Sequence, residues 1–217
     1  MKPKGGPVCL VFGAGGHGRV VLDAMQAAGL GDNAAILDAD PALKGRDLFG
    51  VPILGDDGYL DRARKDGYSH FIVGIAGPND AALRMELFAK GLAAGLKPMS
   101  VCHPRAVLSP HAELGAGVAV LAGAVVNPGA VVGDNAIINS AAVIEHDCIV
   151  GDCAHIAPGA ILLGGVRVGR MALVGGGAVV GPGLKIGAAA LIGAGAVVTK
   201  NVKPGVSVAG VPARPIG

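Results

Sequence analysis

The sequence predicts a small α/β domain followed by a parallel β-helix. The first domain is indicated by strand and helix patterns that alternate over residues 1–101. The β-helix is indicated by a six-residue period that fills residues 102–217. Composition agrees, because 52% of the residues are hydrophobic but only 3% are aromatic, and Gly accounts for 38 of 217. A core of such small and β-branched residues suits stacked repeats.

The first domain alternates short apolar runs with helical patterns. Strands are expected at residues 8–12, 35–37, 51–54, 70–76 and 98–102. Helices are expected at residues 19–28, stopped by Gly29, and from residue 79 to about residue 95. Such alternation predicts a parallel sheet covered by helices.

The β-helix prediction depends on an aliphatic residue that returns every six positions without a slip. The series contains Leu108, Leu114, Val120, Val126, Val132, Ile138, Ile144, Val150, Ile156, Leu162, Val168, Val174, Val180, Ile186, Ile192 and Val198. A small or apolar residue stands four positions after each member, as Ala124 does after Val120. Neither the helical period of 3.6 nor the strand period of 2 explains this spacing. Short strands joined by turns that use Gly, Asn and Asp at positive φ do explain it.

A glycine-rich loop joins the first predicted strand to the first helix. Gly13, Gly15 and Gly18 have the G-x-G-x-x-G spacing of dinucleotide-binding loops, and Asp38 ends the second strand. Glycines let the backbone approach a phosphate, and His17 inside the loop could donate to a phosphate or a sugar. Residues 1–101 hold only about half of a dinucleotide fold, so we expect a Rossmann-like half-domain that binds one nucleoside diphosphate. An NAD-binding oxidoreductase and a glycine-rich turn that binds nothing are the alternatives.

Several ordered motifs carry a family resemblance across nearly the whole chain. They are GAGGHGRVV at 13–21, LDAD at 37–40, GIAGPN at 74–79, NSAAVIEHD at 139–147, HIAPG at 155–159 and VAGVPAR at 208–214. Together they resemble the bacterial sugar O-acyltransferase family of the NeuD–PglD type. The resemblance implies a left-handed β-helix, a homotrimer, acetyl-CoA as the acetyl donor and active sites between neighbouring subunits. It also implies that the N-terminal domain holds the nucleotide of the acceptor.

The same resemblance implies roles for individual residues. His146 would be the catalytic base, and Asp147 its orienting partner. The acceptor-binding residues would be Gly13, Gly15, His17, Gly18, Asp38, Asp40 and Asn139. The acetyl-CoA-binding residues would be His155 beside the thioester, Gly164 with its backbone N–H on the thioester oxygen, and Pro212 and Arg214 at the adenine end.

The proposed base has suitable chemistry and spacing. A histidine with a pKa near ~6.5 accepts a proton at neutral pH, and a carboxylate on its other nitrogen fixes the tautomer. His146 and Gly164 are three hexads apart, so one coil of three hexads would stack them on adjacent coils. His155 follows His146 by half a coil and should point elsewhere within one chain. A trimer could bring the two histidines together.

The resulting function hypothesis is an acetyl-CoA-dependent N-acetyltransferase of glycan or surface polysaccharide biosynthesis. It would transfer acetyl directly, in a ternary complex, to the 4-amino group of a nucleotide-linked 4-amino-4,6-dideoxy sugar. UDP-linked bacillosamine precursors and GDP-linked perosamine both remain open. The nearest alternative is a sugar O-acetyltransferase of the sialic acid type. A trimeric scaffold and a zinc β-helix are alternatives of other classes, although we expect no metal.

Charge, hydropathy and cysteine content limit the kinds of binding partner and the cellular compartment that we expect for the protein. A net charge of +2 without a basic run argues against a nucleic-acid partner. No apolar run approaches the ~18 residues that suggest a membrane span. The four cysteines form no C-x-x-C pair, so reduced thiols and a cytoplasmic location are expected.

Overall fold

The structure is a computed structural model that describes residues 8–216. It divides into two compact units between Pro104 and Arg105, slightly later than the boundary expected after residue 101.

The first unit is an α/β layer whose sheet has the strand order β3-β4-β2-β1-β5-β6. Its elements are β1 (Cys9–Phe12), α1 (Gly16–Ala27), β2 (Ala34–Leu37), β3 (Asp47–Leu48), β4 (Val51–Gly55), α2 (Leu60–Ala63), β5 (His70–Val73), α3 (Ala81–Ala93), β6 (Lys97–Pro98) and β7 (Val101–Cys102). Only β3 pairs antiparallel, with β4. From β1 the strand order proceeds through β2 toward one edge of the sheet, and from β5 it proceeds through β6 toward the other edge. The strand order therefore reverses between β1 and β5, and ligands bind open α/β sheets at the carboxyl ends of the strands beside such a switch point.

Aromatic stacking fills the core of this unit beneath α3. The Phe71 ring lies 5.3 Å from the Phe12 ring and 5.4 Å from the Phe88 ring, measured between centroids. A β-carbon on Gly91 would lie 2.7 Å from the Phe71 ring. Gly91 therefore lets α3 approach the sheet closely, despite the cost of glycine inside a helix.

Some predicted boundaries in this unit were wrong by a few residues. Helix α1 begins at Gly16 instead of residue 19, because the last glycines of the loop already adopt helical geometry. Strand β5 ends at Val73 instead of residue 76, and the next residue, Gly74, packs closely on the glycine loop, since a β-carbon there would lie 2.9 Å from Cα of Gly18. The single strand expected at 98–102 is two short strands, β6 and β7. Strand β3 and helix α2 were not predicted.

The second unit is a parallel β-helix with three faces. The first face contains β10 (Ala119–Val120), β13 (Ile137–Ile138), β16 (His155–Ile156), β19 (Leu173–Val174), β22 (Leu191–Ile192), β24 (Ser207–Ala209) and the antiparallel β25 (Arg214–Pro215). The second contains β8 (Val107–Leu108), β11 (Val125–Val126), β14 (Val143–Ile144), β17 (Ile161–Leu162), β20 (Val179–Val180) and β23 (Val197–Val198). The third contains β9 (Glu113–Leu114), β12 (Val131–Val132), β15 (Ile149–Val150), β18 (Arg167–Val168) and β21 (Lys185–Ile186).

The hexapeptide prediction is confirmed by the strand register. Ile144 pairs with Leu162, and Leu162 with Val180, so one coil takes three hexads. The aliphatic position and the small position four residues later both point into the core, as Val120 and Ala124 show.

Left-handed turn residues and aspartate side chains shape the corners of the β-helix. Several second turn residues adopt positive φ without being glycine, among them Asn135 and Asp147. Aspartates also satisfy the backbone of the preceding coil, because Asp134 accepts from the amide of Ala116 and Asp152 accepts from the amide of Asp134. Asp152, which lies close to His146 in sequence, therefore has a structural role at a different corner.

Candidate active site

A histidine–carboxylate pair stands at the corner that follows β14. Nδ1 of His146 lies 2.9 Å from Oδ2 of Asp147, and the two side chains are 64% and 74% exposed. With Nδ1–H donating to the carboxylate, the lone pair of Nε2 remains available to accept a proton.

Backbone geometry places the carboxylate of this pair. Asp147 is the second residue of its turn and has φ 59°, in the left-handed region that Asp tolerates better than most residues. Its hydrogen bond raises the pKa of His146, and the charges of Asp147 and Glu145 raise it further. The corner therefore holds an exposed imidazole whose conjugate acid is stabilised.

Gly164 lies on the next coil, directly against the imidazole. A β-carbon on Gly164 would lie 2.5 Å from Nε2 of His146. Within residues 8–216, no acceptor receives a hydrogen bond from the Gly164 amide. Gly164 adjoins the basic nitrogen of His146 and carries an unengaged N–H, and such a donor can stabilise a developing oxyanion while a proton is removed.

Cys148 supports this corner from the core side. Its side chain is buried, as expected for an inward small position, and its thiol donates to the carbonyl oxygen of Leu163 at 3.3 Å. That carbonyl belongs to the peptide unit whose N–H is the Gly164 amide. Burial raises the pKa of the Cys148 thiol, so the group remains protonated and able to donate.

A second polar pair lies on the first face of the β-helix. Nδ2 of Asn139 is 3.0 Å from Nε2 of His155, although the residues are 16 positions apart in sequence. The contact arises because Ile137 pairs with His155 across adjacent coils. His146 lies at the corner after the second face, so one chain holds the two histidines at different positions of the coil.

The glycine loop of the α/β unit combines tight packing with open space. A β-carbon on Gly13 would lie 2.8 Å from Ile75, and one on Gly18 would collide with the Gly13 carbonyl. Apart from the adjoining residues and the nearby backbone of α1, nothing in residues 8–216 lies within 4 Å of a β-carbon built on Gly15 or Gly16. Gly15 caps α1 without a side-chain hydrogen bond, so the first amides of the helix face an open approach suited to a phosphate.

Asp38 and Asp40, the acidic residues predicted for acceptor binding, both accept hydrogen bonds from backbone amides. Asp38 accepts from the amide of Ala14 at 2.7 Å and from that of Asp40 at 2.9 Å, which fixes its carboxylate beside the glycine loop. Asp40 accepts from the amide of Ala42 and caps a short 3₁₀ turn. His17 lies half-buried in the first turn of α1.

Asp38 and Gly13 line a cleft of about 300 Å³. Its walls are mostly apolar, formed by Phe12, Leu37, Ile75, Leu83 and Leu87. Asp57 and Lys90 also line it, and Nζ of Lys90 lies 2.6 Å from Oδ2 of Asp57. No sequence pattern indicates this ion pair, because its members are 33 residues apart and belong to no motif.

The expected coenzyme residues of the tail lie at the last coils. Arg214 lines a cleft of about 420 Å³ together with Lys200 and Lys203. Pro212 follows a cis peptide bond and is exposed. The three cations near one cleft provide positive charge suited to phosphate groups.

No group of three or more His, Cys, Asp or Glu side chains within residues 8–216 is arranged to hold a metal ion. No helix in the same range combines the length and the apolar character needed to cross a bilayer. All four cysteines are free thiols.

Comparison with known proteins identifies the family. Residues 9–90 match the PglD N-terminal domain, and residues 129–164 match the bacterial transferase hexapeptide of six repeats. A crystal structure of PerB from Caulobacter crescentus, in complex with CoA and GDP-perosamine, is 42% identical, with 99% of each chain covered and a TM-score of 0.91. The chain belongs to the NeuD/PglD-type sugar acetyltransferases. The left-handed β-helix expected from the resemblance is confirmed by the same match.

Other family members agree with this assignment. The acetyltransferase domain of PglB from Neisseria gonorrhoeae, in complex with acetyl coenzyme A, is 35% identical, covers 97% of this chain and 100% of that one, and gives a TM-score of 0.88. GDP-perosamine N-acetyltransferase of Escherichia coli O157:H7 is 32% identical over 141 residues, which are 64% of this chain and 62% of that enzyme. These relatives do not favour the O-acetyltransferase alternative.

Proposed function

We propose that this acetyltransferase uses acetyl-CoA to acetylate the 4-amino group of a GDP-linked 4-amino-4,6-dideoxy sugar of the perosamine type. The observation that carries the proposal is the arrangement of His146 between the Asp147 carboxylate and the Gly164 amide. Relatives that match the whole chain and bind CoA with GDP-perosamine supply the substrate class.

In the proposed reaction the amine nitrogen attacks the thioester carbonyl carbon of acetyl-CoA. A C–N bond forms, and the carbonyl oxygen becomes an oxyanion that the Gly164 N–H stabilises. Nε2 of His146 takes the proton that the amine nitrogen loses. The C–S bond then breaks, and the CoA thiolate leaves and takes up a proton. Asp147 stabilises the imidazolium while it holds that proton.

The acceptor nucleotide is assigned to the α/β unit. The open amides at Gly15 and Gly16 suit the diphosphate, as the loop spacing predicts. Asp38 is held beside that loop by the Ala14 amide and suits ribose hydroxyl groups. The predicted contributions of His17 and Asp40 to this site stay predictions.

The active site is proposed to form between subunits of a homotrimer. Asn139 and His155 bind one another on the first face, whereas His146 lies at another corner of the same chain. A neighbouring copy that brings its Asn139 and His155 to His146 would complete a site for the sugar and the thioester. Arg214 and Pro212 are proposed for the adenine end of CoA. A cytoplasmic location is inferred because the cysteines are free and both substrates are phosphorylated metabolites.

The chemical nature of the product tests the proposal. The purified protein, acetyl-CoA and the GDP-linked amino sugar are incubated, and the acetylated sugar is separated from acetyl-CoA and treated with alkaline hydroxylamine. An amide product resists cleavage, whereas an ester would release acetohydroxamate. A hydroxylamine-labile product would assign the O-acetyltransferase activity instead.

A further inference from the structure

We propose that Asp57 and Lys90 read the guanine base of the acceptor nucleotide, an assignment that rests on the proposed function. Both residues line the cleft that begins at Asp38 and Gly13, beside the loop assigned to the diphosphate. They stand among apolar side chains that can cover the two faces of a planar ring. The cleft therefore offers apolar walls and one charged pair, which matches the surface of a nucleobase.

The two side chains retain unused hydrogen-bonding capacity. Lys90 directs its ammonium to Oδ2 of Asp57 at 2.6 Å and to Oε1 of Glu86 at 2.8 Å, which leaves one of its three N–H donors. Within residues 8–216, Oδ1 of Asp57 receives no hydrogen bond. The pair thus presents carboxylate acceptors next to an ammonium donor.

Carboxylate acceptors next to an ammonium donor match the hydrogen-bonding edge of guanine better than those of the other common bases. The edge of guanine presents the N2 amino group and N1–H as adjacent donors, followed by the O6 acceptor. A carboxylate can accept from N1–H and N2–H together, while Lys90 donates to O6. Uracil presents a single N3–H between two carbonyl oxygens, so one carboxylate oxygen would face a carbonyl. The Asp57–Lys90 pair should therefore discriminate against a UDP-linked sugar.

The interior of the cleft supports a base rather than a sugar. Leu83, Leu87 and Lys90 lie on one face of α3, with Lys90 beyond the two leucines. Phe12 and Leu37, at the ends of β1 and β2, also line the cleft. A sugar ring would leave its hydroxyl groups against these apolar walls, whereas a purine would bury two apolar faces.

Binding of free nucleotides to the full chain tests the proposal. Isothermal titration with GDP, IDP and UDP compares three bases on the same diphosphate. IDP lacks only the N2 amino group, so wild-type protein should bind it about tenfold more weakly than GDP. UDP should bind more weakly still. Equal affinity for GDP and IDP would overturn the assignment of the N2 contact, and equal affinity for GDP and UDP would overturn the proposal.

Variants separate the two contacts. Asp57→Ala removes both carboxylate oxygens and should abolish the difference between GDP and IDP, whereas Lys90→Met should weaken both about equally because both bases carry O6. Asp61→Ala changes an exposed acid of the same segment that does not line this cleft, and it should bind all three nucleotides like the wild type. An Asp57→Ala protein that keeps the wild-type preference for GDP over IDP would overturn the proposal.

The outcome is distinguishable from a failure of the proposed function. Acetyl transfer to a GDP-linked amino sugar, together with equal binding of GDP and UDP, would refute base reading and leave the activity standing. Absence of CoA release with every nucleotide-linked amino sugar would refute the activity itself.

Discussion

The imidazole of His146 occupies the space that a side chain at position 164 would need, since a β-carbon there would lie 2.5 Å from Nε2. Gly164 has no positive φ, so its backbone conformation alone does not require glycine. The requirement comes from the histidine on the preceding coil. This relationship brings the proposed base and the proposed oxyanion donor into contact.

Gly164→Ala should therefore displace the imidazole and lower kcat by at least about tenfold without unfolding the β-helix. A double-mutant cycle isolates the cause. In a His146→Ala background the added methyl group has no ring to displace, so it should cost little more activity. The check is the rate of thiol release for the four proteins. Fully additive losses would show that position 164 acts independently of His146.

The pH dependence of catalysis should show the effect of the Asp147 carboxylate on the pKa of His146. His146 must be neutral to accept a proton, so kcat/KM should fall as the pH drops through its raised pKa. Asp147→Asn removes the main cause of the raised pKa, and the acidic limb of the profile should move to lower pH. Maximal kcat should fall as well, because the preferred tautomer is lost. An acidic limb that does not move would mean that another group controls it.

The positive φ of Asp147 should lower the free energy of unfolding, although the side chain is needed for activity. Its φ of 59° is strained for any residue except glycine, so Asp147→Gly should stabilise the fold by about 0.5–1 kcal/mol after the entropy of glycine is subtracted. The same protein should lose catalytic rate. Ala189→Gly is the matched control, because Ala189 has φ 54° at an exposed corner. It should gain at least as much stability, measured by denaturant unfolding, because Ala tolerates the left-handed region less well than Asp, and it should keep its activity. A loss of stability in both variants would contradict a strained backbone at these corners.

Subunit mixing tests the interface proposal. His146→Ala and His155→Ala proteins should each be weakly active as homotrimers. Mixed trimers, formed by refolding the two together, should regain part of the activity, because some interfaces would pair an intact His146 with an intact His155. Mixtures no more active than the parents would contradict an active site that His146 and His155 share across a subunit interface.

Much of the fold could be predicted because its sequence periods are strong. The six-residue series fixes both the strands and the coil, and the eighteen-residue spacing places Gly164 over His146. The glycine loop was located by the same kind of local pattern. Helix boundaries were less certain, because the glycines that shape the loop also begin α1.

Other parts of the site depend on contacts between distant residues. The Asn139–His155 pair follows from coil stacking once the register is known, but a hexad count does not show the side chains meeting. Asp57 and Lys90 have no spacing signal, since one follows a strand and the other lies on a helix. The steric demand at Gly164 was also hidden, because glycine is common at turns for another reason.

The most direct test of the account is the initial rate of CoA thiol release with a GDP-linked 4-amino sugar and with its 4-hydroxyl counterpart. The wild-type protein should release CoA rapidly with the amine and negligibly with the hydroxyl compound. His146→Ala should lower kcat with the amine by about 10²–10⁴. Equal rates with both acceptors, or a loss below tenfold in His146→Ala, would contradict the assignment of His146 as the base of an N-acetyltransferase.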